Sequence, residues 1–304
     1  MQFRILGRTG LRVSAIAFGA GPVSGLMIGD DLDRQQAAFH RAVSLGINWF
    51  DTAPGYGQGK SESALGRCLD AYGKSDEVHV ATKVRIHDDD FADLAGAVRR
   101  SVENSLTRLN RSSVTLLQLH NGLTGTHAAE PDSVTATDVL KTDGILSAFH
   151  AVQAAGLVRF IGLTGTGTPE AMRTVIHSGE FDTIQTPYNL LNPSAGQEMS
   201  DCLGETNYGN IMSDCAAAEM GVFAIRVFAG GALLRFPPSA HTLRTKYFPL
   251  ALYERDLARA DKLQQHLQLP DAALRFALGH PNIHSAIIGL GSADEVESAV
   301  NMAS

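Results

Sequence analysis

Short β-branched or aliphatic runs alternate along the chain with longer stretches whose apolar positions recur at helical spacing, and Gly-, Pro- or Asp-rich turns separate most of them. The runs predict strands over residues 13–19, 47–51, 78–83, 114–120, 157–164, 183–185, 222–226 and 284–288. Helical spacing falls between them, over 33–45, 62–72, 91–109, 144–155, 169–177, 208–220 and 293–302. Two further helices, at 254–267 and 271–278, crowd the approach to the last strand. Alternation of this kind implies parallel strands joined by helical crossovers. Eight such units in 304 residues favour a closed (β/α)8 TIM barrel over an open sheet. The opening FRILGRTGL places apolar positions around an Arg-Thr-Gly turn, which predicts a β-hairpin capping the N-terminal end of the barrel. No linker interrupts the pattern, so residues 1–304 are expected to form a single domain.

Composition narrows the class. The net charge of -7 and the lack of a Lys/Arg-rich run argue against nucleic acid as a partner. No apolar run is long enough to cross a bilayer, and no signal-type stretch follows the basic N-terminus. The expected location is the cytoplasm. Cys68, Cys202 and Cys215 are odd in number and far apart, so they fit neither a disulfide framework nor a zinc knuckle and are read as reduced bystanders. HDDDFAD, residues 87–93, is read as a solvated acidic loop capping the helix at Phe91 and not as a metal site. His40, His79, His150, His177, His241, His266, His280 and His284 lack metal-ligand spacing, and no metal is expected.

The candidate chemistry sits where strands end. NWFDTAPGYG closes the second barrel strand on Asp51 and places Tyr56 in the loop behind it; HVATK ends the third on Lys83; VTLLQLH ends the fourth on His120. Consecutive barrel strands are neighbours and catalytic groups gather at their C-terminal ends, so the four residues converge on one rim. Singly, each has a bland role: a turn aspartate, a packed tyrosine, a strand-end lysine, a core histidine. As a set they describe a proton donor to a carbonyl. A phenol of pKa about 10 needs a neighbouring ammonium to lower it, and a desolvated lysine needs a carboxylate such as Asp51. His120 then orients the carbonyl oxygen or shares in the proton transfer. The segments after His120, Tyr188 and Phe228 are long, as substrate-side loops are, and 121–143 and 190–207 are expected to shape the pocket.

Phosphate-binding features come later in the chain. In VFAIRVFAGGALL, Arg226 is a candidate phosphate contact, and Gly230 and Gly231 allow backbone amides to approach a phosphate closely. IIGLGSADEVESAV reads strand, glycine turn and helix start, with Gly289, Gly291 and an N-capping Ser292 where barrels often bind phosphate. TGTGTPE lacks the spacing of a Rossmann fingerprint, and that reading is rejected.

FDTAPGYG, ATK and LLQLHN, preceded by LGRTGLRVSAIAFG, resemble the aldo-keto reductases from Phe3 nearly to the end of the chain. The resemblance implies the barrel, a nicotinamide cofactor extended across its C-terminal face, and a catalytic tetrad of Asp51, Tyr56, Lys83 and His120. It implies that Thr164, Gly165 and Gln185 face the cofactor's carboxamide; Gly165 stands where the family has Asn. Ile225 stands where the family has a stacking aromatic, and Gly291 and Glu295 replace a basic residue and a Gln common in NADPH-preferring relatives. NADH is therefore expected to serve at least comparably with NADPH, with Asp294 or Glu295 near the ribose.

The reading is an NAD(P)H-dependent oxidoreductase moving hydride between nicotinamide and an aldehyde, ketone or sugar, with Tyr56 as general acid or base. Alternatives are a sugar 1-dehydrogenase working oxidatively, a nicotinamide-binding regulatory subunit, and a metal-dependent barrel hydrolase, for which Asp51 and His120 alone are too few ligands.

Overall fold

The structure, a computed structural model, describes residues 1–74, 77–200 and 205–303. An antiparallel pair comes first, β1 (Phe3–Ile5) and β2 (Arg12–Ser14). There follow β3 (Ile16–Gly19), α1 (Leu32–Ser44), β4 (Trp49–Asp51), α2 (Lys60–Tyr72), β5 (His79–Val84), α3 (Leu94–Leu109) and β6 (Val114–Leu119). Next are α4 (Ala136–Leu140), α5 (Ile145–Ala154), β7 (Val158–Thr164), α6 (Pro169–Ile176), β8 (Thr183–Pro187) and α7 (Ile211–Ala217). The chain ends with β9 (Gly221–Ile225), α8 (Leu250–Leu263), α9 (Leu269–Gly279), β10 (Ser285–Gly289) and α10 (Ala293–Met302). Strands β3 to β10 pair in parallel and in chain order, and β10 pairs back to β3, closing an eight-stranded barrel.

The helices follow from their apolar spacing. In α1 the buried positions are Gln35, Ala38, Phe39 and Ala42, one face of a 3.6-residue period, and the Asp31 carboxylate caps the start by accepting the Arg34 N–H at 3.0 Å. Two apolar layers result. One lies between sheet and helices; the other fills the barrel itself, where Leu6, Leu11 and Val13 of the hairpin meet Trp49, Ala81, Leu116 and Phe223. The rings of Trp49 and Phe223 are 4.7 Å apart inside the barrel. The hairpin is thus a plug. Gly7, at φ +45°, is required there because a Cβ would meet the Glu219 carbonyl at 2.4 Å.

The eight predicted strands are those of the barrel, and one strand edge, one helix start and one loop differ from expectation. Val13 belongs to β2 and not to the first barrel strand, because the Ser14 hydroxyl donates to Ile16 O at 2.6 Å and its N–H to Asn48 at 2.8 Å, turning the chain between the two elements. Helix α3 starts at Leu94, capped by Asp93, while 88–92 is a separate 3-10 turn and not the start of that helix. The segment 121–143 holds α4, whose reciprocal cap between Thr135 and Asp138 was present in the sequence as a capping box.

Among the described residues no helix is long and apolar enough to cross a membrane, and no group of three His, Cys, Asp or Glu side chains could hold a metal ion. Cys68 and Cys215 are free and buried, and burial pushes their thiols up to about 11 and about 12. Cys202 lies outside the described residues.

The loop after β6 is pinned by a histidine. His127 Nδ1 lies 3.0 Å from Asp138 and Nε2 3.0 Å from Asp88, against the edge of Phe91. Two ionised carboxylates only accept, so both contacts are hydrogen bonds only when the ring carries both protons. The bonds to Asp138 and Asp88 raise the His127 pKa. A raised folded-state pKa contributes stability that is full below the ordinary imidazole value of about 6.5 and is lost as pH rises through the folded value. The melting-temperature difference between wild type and His127→Ala is expected to be largest at acid pH and to shrink on the alkaline side. An equal difference at pH 6 and pH 9 would refute this pinning.

Candidate active site

The C-terminal ends of the strands open into a cavity of about 1510 Å³, larger than the roughly 300–1,000 Å³ usual for a small-molecule site. Asp51, Tyr56, Lys83 and His120 all line it, from three neighbouring strands and the loop behind β4. Strand register places them: Asp51 pairs with Ala81, and Lys83 with Gln118.

Lys83 and Asp51 form an ion pair at 2.5 Å, with side chains 1% and 5% exposed. The remaining hydrogen-bonding capacity is used with care. Lys83 also donates to Thr52 O at 2.9 Å, and the second Asp51 oxygen accepts from Gln185 at 2.5 Å and Gln118 at 3.2 Å. Burial alone pulls the Lys83 ammonium's pKa down, but the charge of Asp51, with Tyr56 and the hydrogen bonds, outweighs it and the net shift is upward. Lys83 therefore stays charged. Its Nζ lies 4.8 Å from the centre of the Tyr56 ring, and that ring meets His120 edge-on at 5.8 Å.

The phenol departs from expectation. Lys83 does lower the Tyr56 pKa, but burial acts more strongly and the net direction is upward, so the hydroxyl keeps its proton at neutral pH. His120 is held well below the ordinary imidazole value by burial, then by the charges of Lys83 and Arg85, and is neutral.

The phosphate-side residues divide. Thr164, Gln185, Ile225, Arg226, Gly230, Gly231, Gly289, Gly291 and Glu295 line the cavity. Thr164 Oγ1 is buried with no hydrogen-bond partner among the described residues, and it sits in register beside Gln185. Gln185 donates from its amide nitrogen to Asp51 at 2.5 Å. Arg226 stacks on Phe248 at 4.0 Å and lies 3.9 Å from Asp256. Gly230 and Gly231, at φ +69° and +103°, carry the chain through a bend that side chains resist.

Two of the expected contact residues lie outside the lining of the cavity. Gly165 is not part of the wall: its N–H is used by Gln185 O at 2.6 Å, and its Cα faces Ile184 and Thr186. Ser292 does not line the cavity either; it caps α10, accepting the Glu295 N–H at 3.2 Å. Glu295 turns its own carboxylate back onto the Gly291 N–H at 2.7 Å, so the donor at this helix start already holds an anion, while Asp294 is exposed. Sequence reasoning missed Gln118, Ser24, whose buried hydroxyl has no partner among the described residues, and Arg85. Gln118 and Arg85 were findable from the strand period, two residues before His120 and two after Lys83.

The sequence model of the Aldo/keto reductase family matches residues 15–304. The chain belongs to that family of oxidoreductases. It is 29% identical over 310 residues to an L-galactose dehydrogenase of Arabidopsis thaliana, covering 99% of this chain and 87% of that one. It is 27% identical over 311 residues to a D-threo-aldose 1-dehydrogenase of a Pseudomonas species, covering 92% and 86% respectively. The solved holo form of an aldo-keto reductase from Bacillus halodurans shares the fold at a TM-score of 0.73 and 22% identity, over 100% of this chain and 91% of that one.

Lys83→Met leaves the Asp51 carboxylate buried with only two amide donors. Breaking one side of a buried ion pair costs about 3–5 kcal/mol. Urea denaturation is expected to show a loss of that order, partly recovered in the Lys83→Met, Asp51→Asn double variant; a loss below about 1 kcal/mol would mean that the pair does not hold the site together.

Proposed function

We propose that the protein, as one domain spanning the chain, is an NAD(P)H-dependent oxidoreductase acting on a carbonyl or alcohol, with Tyr56 as the proton donor and acceptor. The observation that carries this reading is the buried Asp51–Lys83 pair set against the Tyr56 ring inside a cavity of cofactor size. Family members use nicotinamide, which supplies or takes the hydride when bound. The wall suits such a group: Thr164 Oγ1 is an unpaired polar atom among the described residues and lies in register with Gln185, Ile225 offers an aliphatic surface, and Gly230, Gly231 and Arg226 offer backbone and charge to phosphate.

Tyr56 passes its proton to the substrate oxygen during reduction, and the nearby Lys83 ammonium stabilises the phenolate left behind. Neutral His120 has one N–H and one lone pair, and with the N–H it orients that oxygen. Asp51 keeps Lys83 charged and in place. Because burial keeps Tyr56 protonated, reduction needs no activation at neutral pH, whereas oxidation must first remove the phenolic proton. Two sugar dehydrogenases among the relatives favour an aldose 1-dehydrogenase as the second reading, with the same residues run in reverse.

Tyr56→Phe is expected to lower kcat by at least about 10²–10⁴-fold, the usual cost of removing an acid–base group, with cofactor binding followed by fluorescence little changed. In the wild type, oxidation is expected to accelerate from pH 7 to pH 10 while reduction does not. Near-normal turnover by the phenylalanine variant, or a flat oxidative profile where chemistry limits the rate, would remove Tyr56 from the mechanism.

NADH is expected to serve at least comparably with NADPH, because the Gly291 N–H is already occupied by the Glu295 carboxylate, which repels a 2′-phosphate. Glu295→Gln is expected to shift preference towards NADPH. A wild-type kcat/KM for NADPH more than about a hundredfold above that for NADH, roughly 2.7 kcal/mol, would overturn this assignment.

A further inference from the structure

Arg85 follows β5 two residues beyond Lys83 and lines the cavity together with Tyr56 and His120. Its charge is felt by both of those groups. One edge of its guanidinium is fixed. Nη1 donates to Tyr247 Oη at 2.6 Å and lies 3.4 Å from Asp132, the Tyr247 hydroxyl donates to the same carboxylate, and the Tyr247 ring packs against the guanidinium at 4.5 Å. The anchoring residues come from the loops after β6 and β9, so the arginine is held from two sides of the mouth. Nε and Nη2 have no protein partner among the described residues, although the side chain is only 20% exposed.

A guanidinium is a rigid planar fork, and stacking plus one hydrogen-bonded edge leaves the other edge aimed and available at little entropic cost. With the substrate oxygen at Tyr56 and His120, Arg85, which lines the same cavity two residues beyond Lys83, is placed on the side of the rest of the substrate. Asp132 pairs with the arginine, though His87 and Lys246 also act on that carboxylate, and Glu130 lies on the same cavity wall. That pairing disfavours a carboxylate and suits a neutral hydroxyl, which accepts from the fork.

Resting on the oxidoreductase reading above, we propose that Arg85 is a specificity-determining residue that holds a hydroxyl on a carbon neighbouring the reacting one, so that the site selects uncharged hydroxyaldehydes and aldoses over plain aldehydes of the same length.

The experiment compares kcat/KM for glyceraldehyde, propanal and succinic semialdehyde in the wild type, Arg85→Met and Tyr247→Phe. A hydrogen bond from a charged donor corresponds to roughly tenfold to a hundredfold. The wild type is expected to prefer glyceraldehyde over propanal by that factor. Arg85→Met is expected to bring the ratio near one through the KM of glyceraldehyde, and Tyr247→Phe, which keeps the ring but frees the arginine's anchored edge, to lower it in part. If Arg85→Met folds poorly, the Tyr247→Phe ratio decides. A ratio unchanged in the variants, including the case where both aldehydes slow equally, overturns the assignment. So does a wild-type preference for succinic semialdehyde that Arg85→Met abolishes, which would make Arg85 a carboxylate site. Turnover of propanal without preference for glyceraldehyde overturns this assignment alone, whereas no turnover of any aldehyde with either nicotinamide sinks the oxidoreductase reading and this one with it.

Discussion

A lysine and an aspartate share the floor of the cavity almost entirely out of water, and the rest of the site is arranged around making that tolerable. Desolvating two charges is expensive unless their geometry is good and their spare donors and acceptors are met. Here Asp51 on β4 receives Lys83 from β5, Gln118 from β6 and Gln185 from β8, while Lys83 also reaches Thr52 O. Four barrel strands therefore meet at one carboxylate. Side chains alternate along a strand, so a one-residue slip in any of them would turn its contribution out of the barrel. Correct closure of the barrel and assembly of the charge pair are in this sense one event.

The same burial sets the chemistry. It lifts the Tyr56 phenol, lowers His120, and pulls Lys83 down against the upward effect of Asp51. The result is a protonated phenol, a neutral imidazole and a permanent ammonium side by side, a set that can give a proton without first losing one elsewhere. For Tyr56 and Lys83 burial and pairing pull in opposite directions, burial prevailing in the first and pairing in the second, whereas burial and the neighbouring charges act together on His120.

The mouth is organised by the long segment after β9. In the closed strand order β5 and β9 lie on opposite sides of the barrel, and adjacent residues Tyr247 and Phe248 stack on an arginine from each side, Arg85 at 4.5 Å and Arg226 at 4.0 Å. A partly buried polar network of Arg226, Arg255, Arg259, Glu205 and Asp256 backs the Arg226 side. The cavity thus has one end at the Asp51–Lys83 pair with Tyr56 and His120, and a charged flank along the loop after β9.

The eight strands, the plugging hairpin and the convergence of Asp51, Tyr56, Lys83 and His120 were legible in the chain, because strand and helix periods are local and the barrel rule converts strand ends into a common rim. The N-cap at Ser292 was legible for the same reason. What tertiary structure alone decided are quantities summed over distant neighbours. The net direction of the Tyr56 shift needs the amount of water excluded around it as well as the lysine beside it. That Gly165 turns into the core while Thr164 faces the cavity depends on packing against Ile184 and Thr186. Glu295 folding back onto Gly291 is a short-range contact that only the built helix start shows. Arg85 was visible as a residue but not as a held and half-free fork, because Asp132 and Tyr247 stand 47 and 162 positions away in the chain and reach it only across the closed barrel.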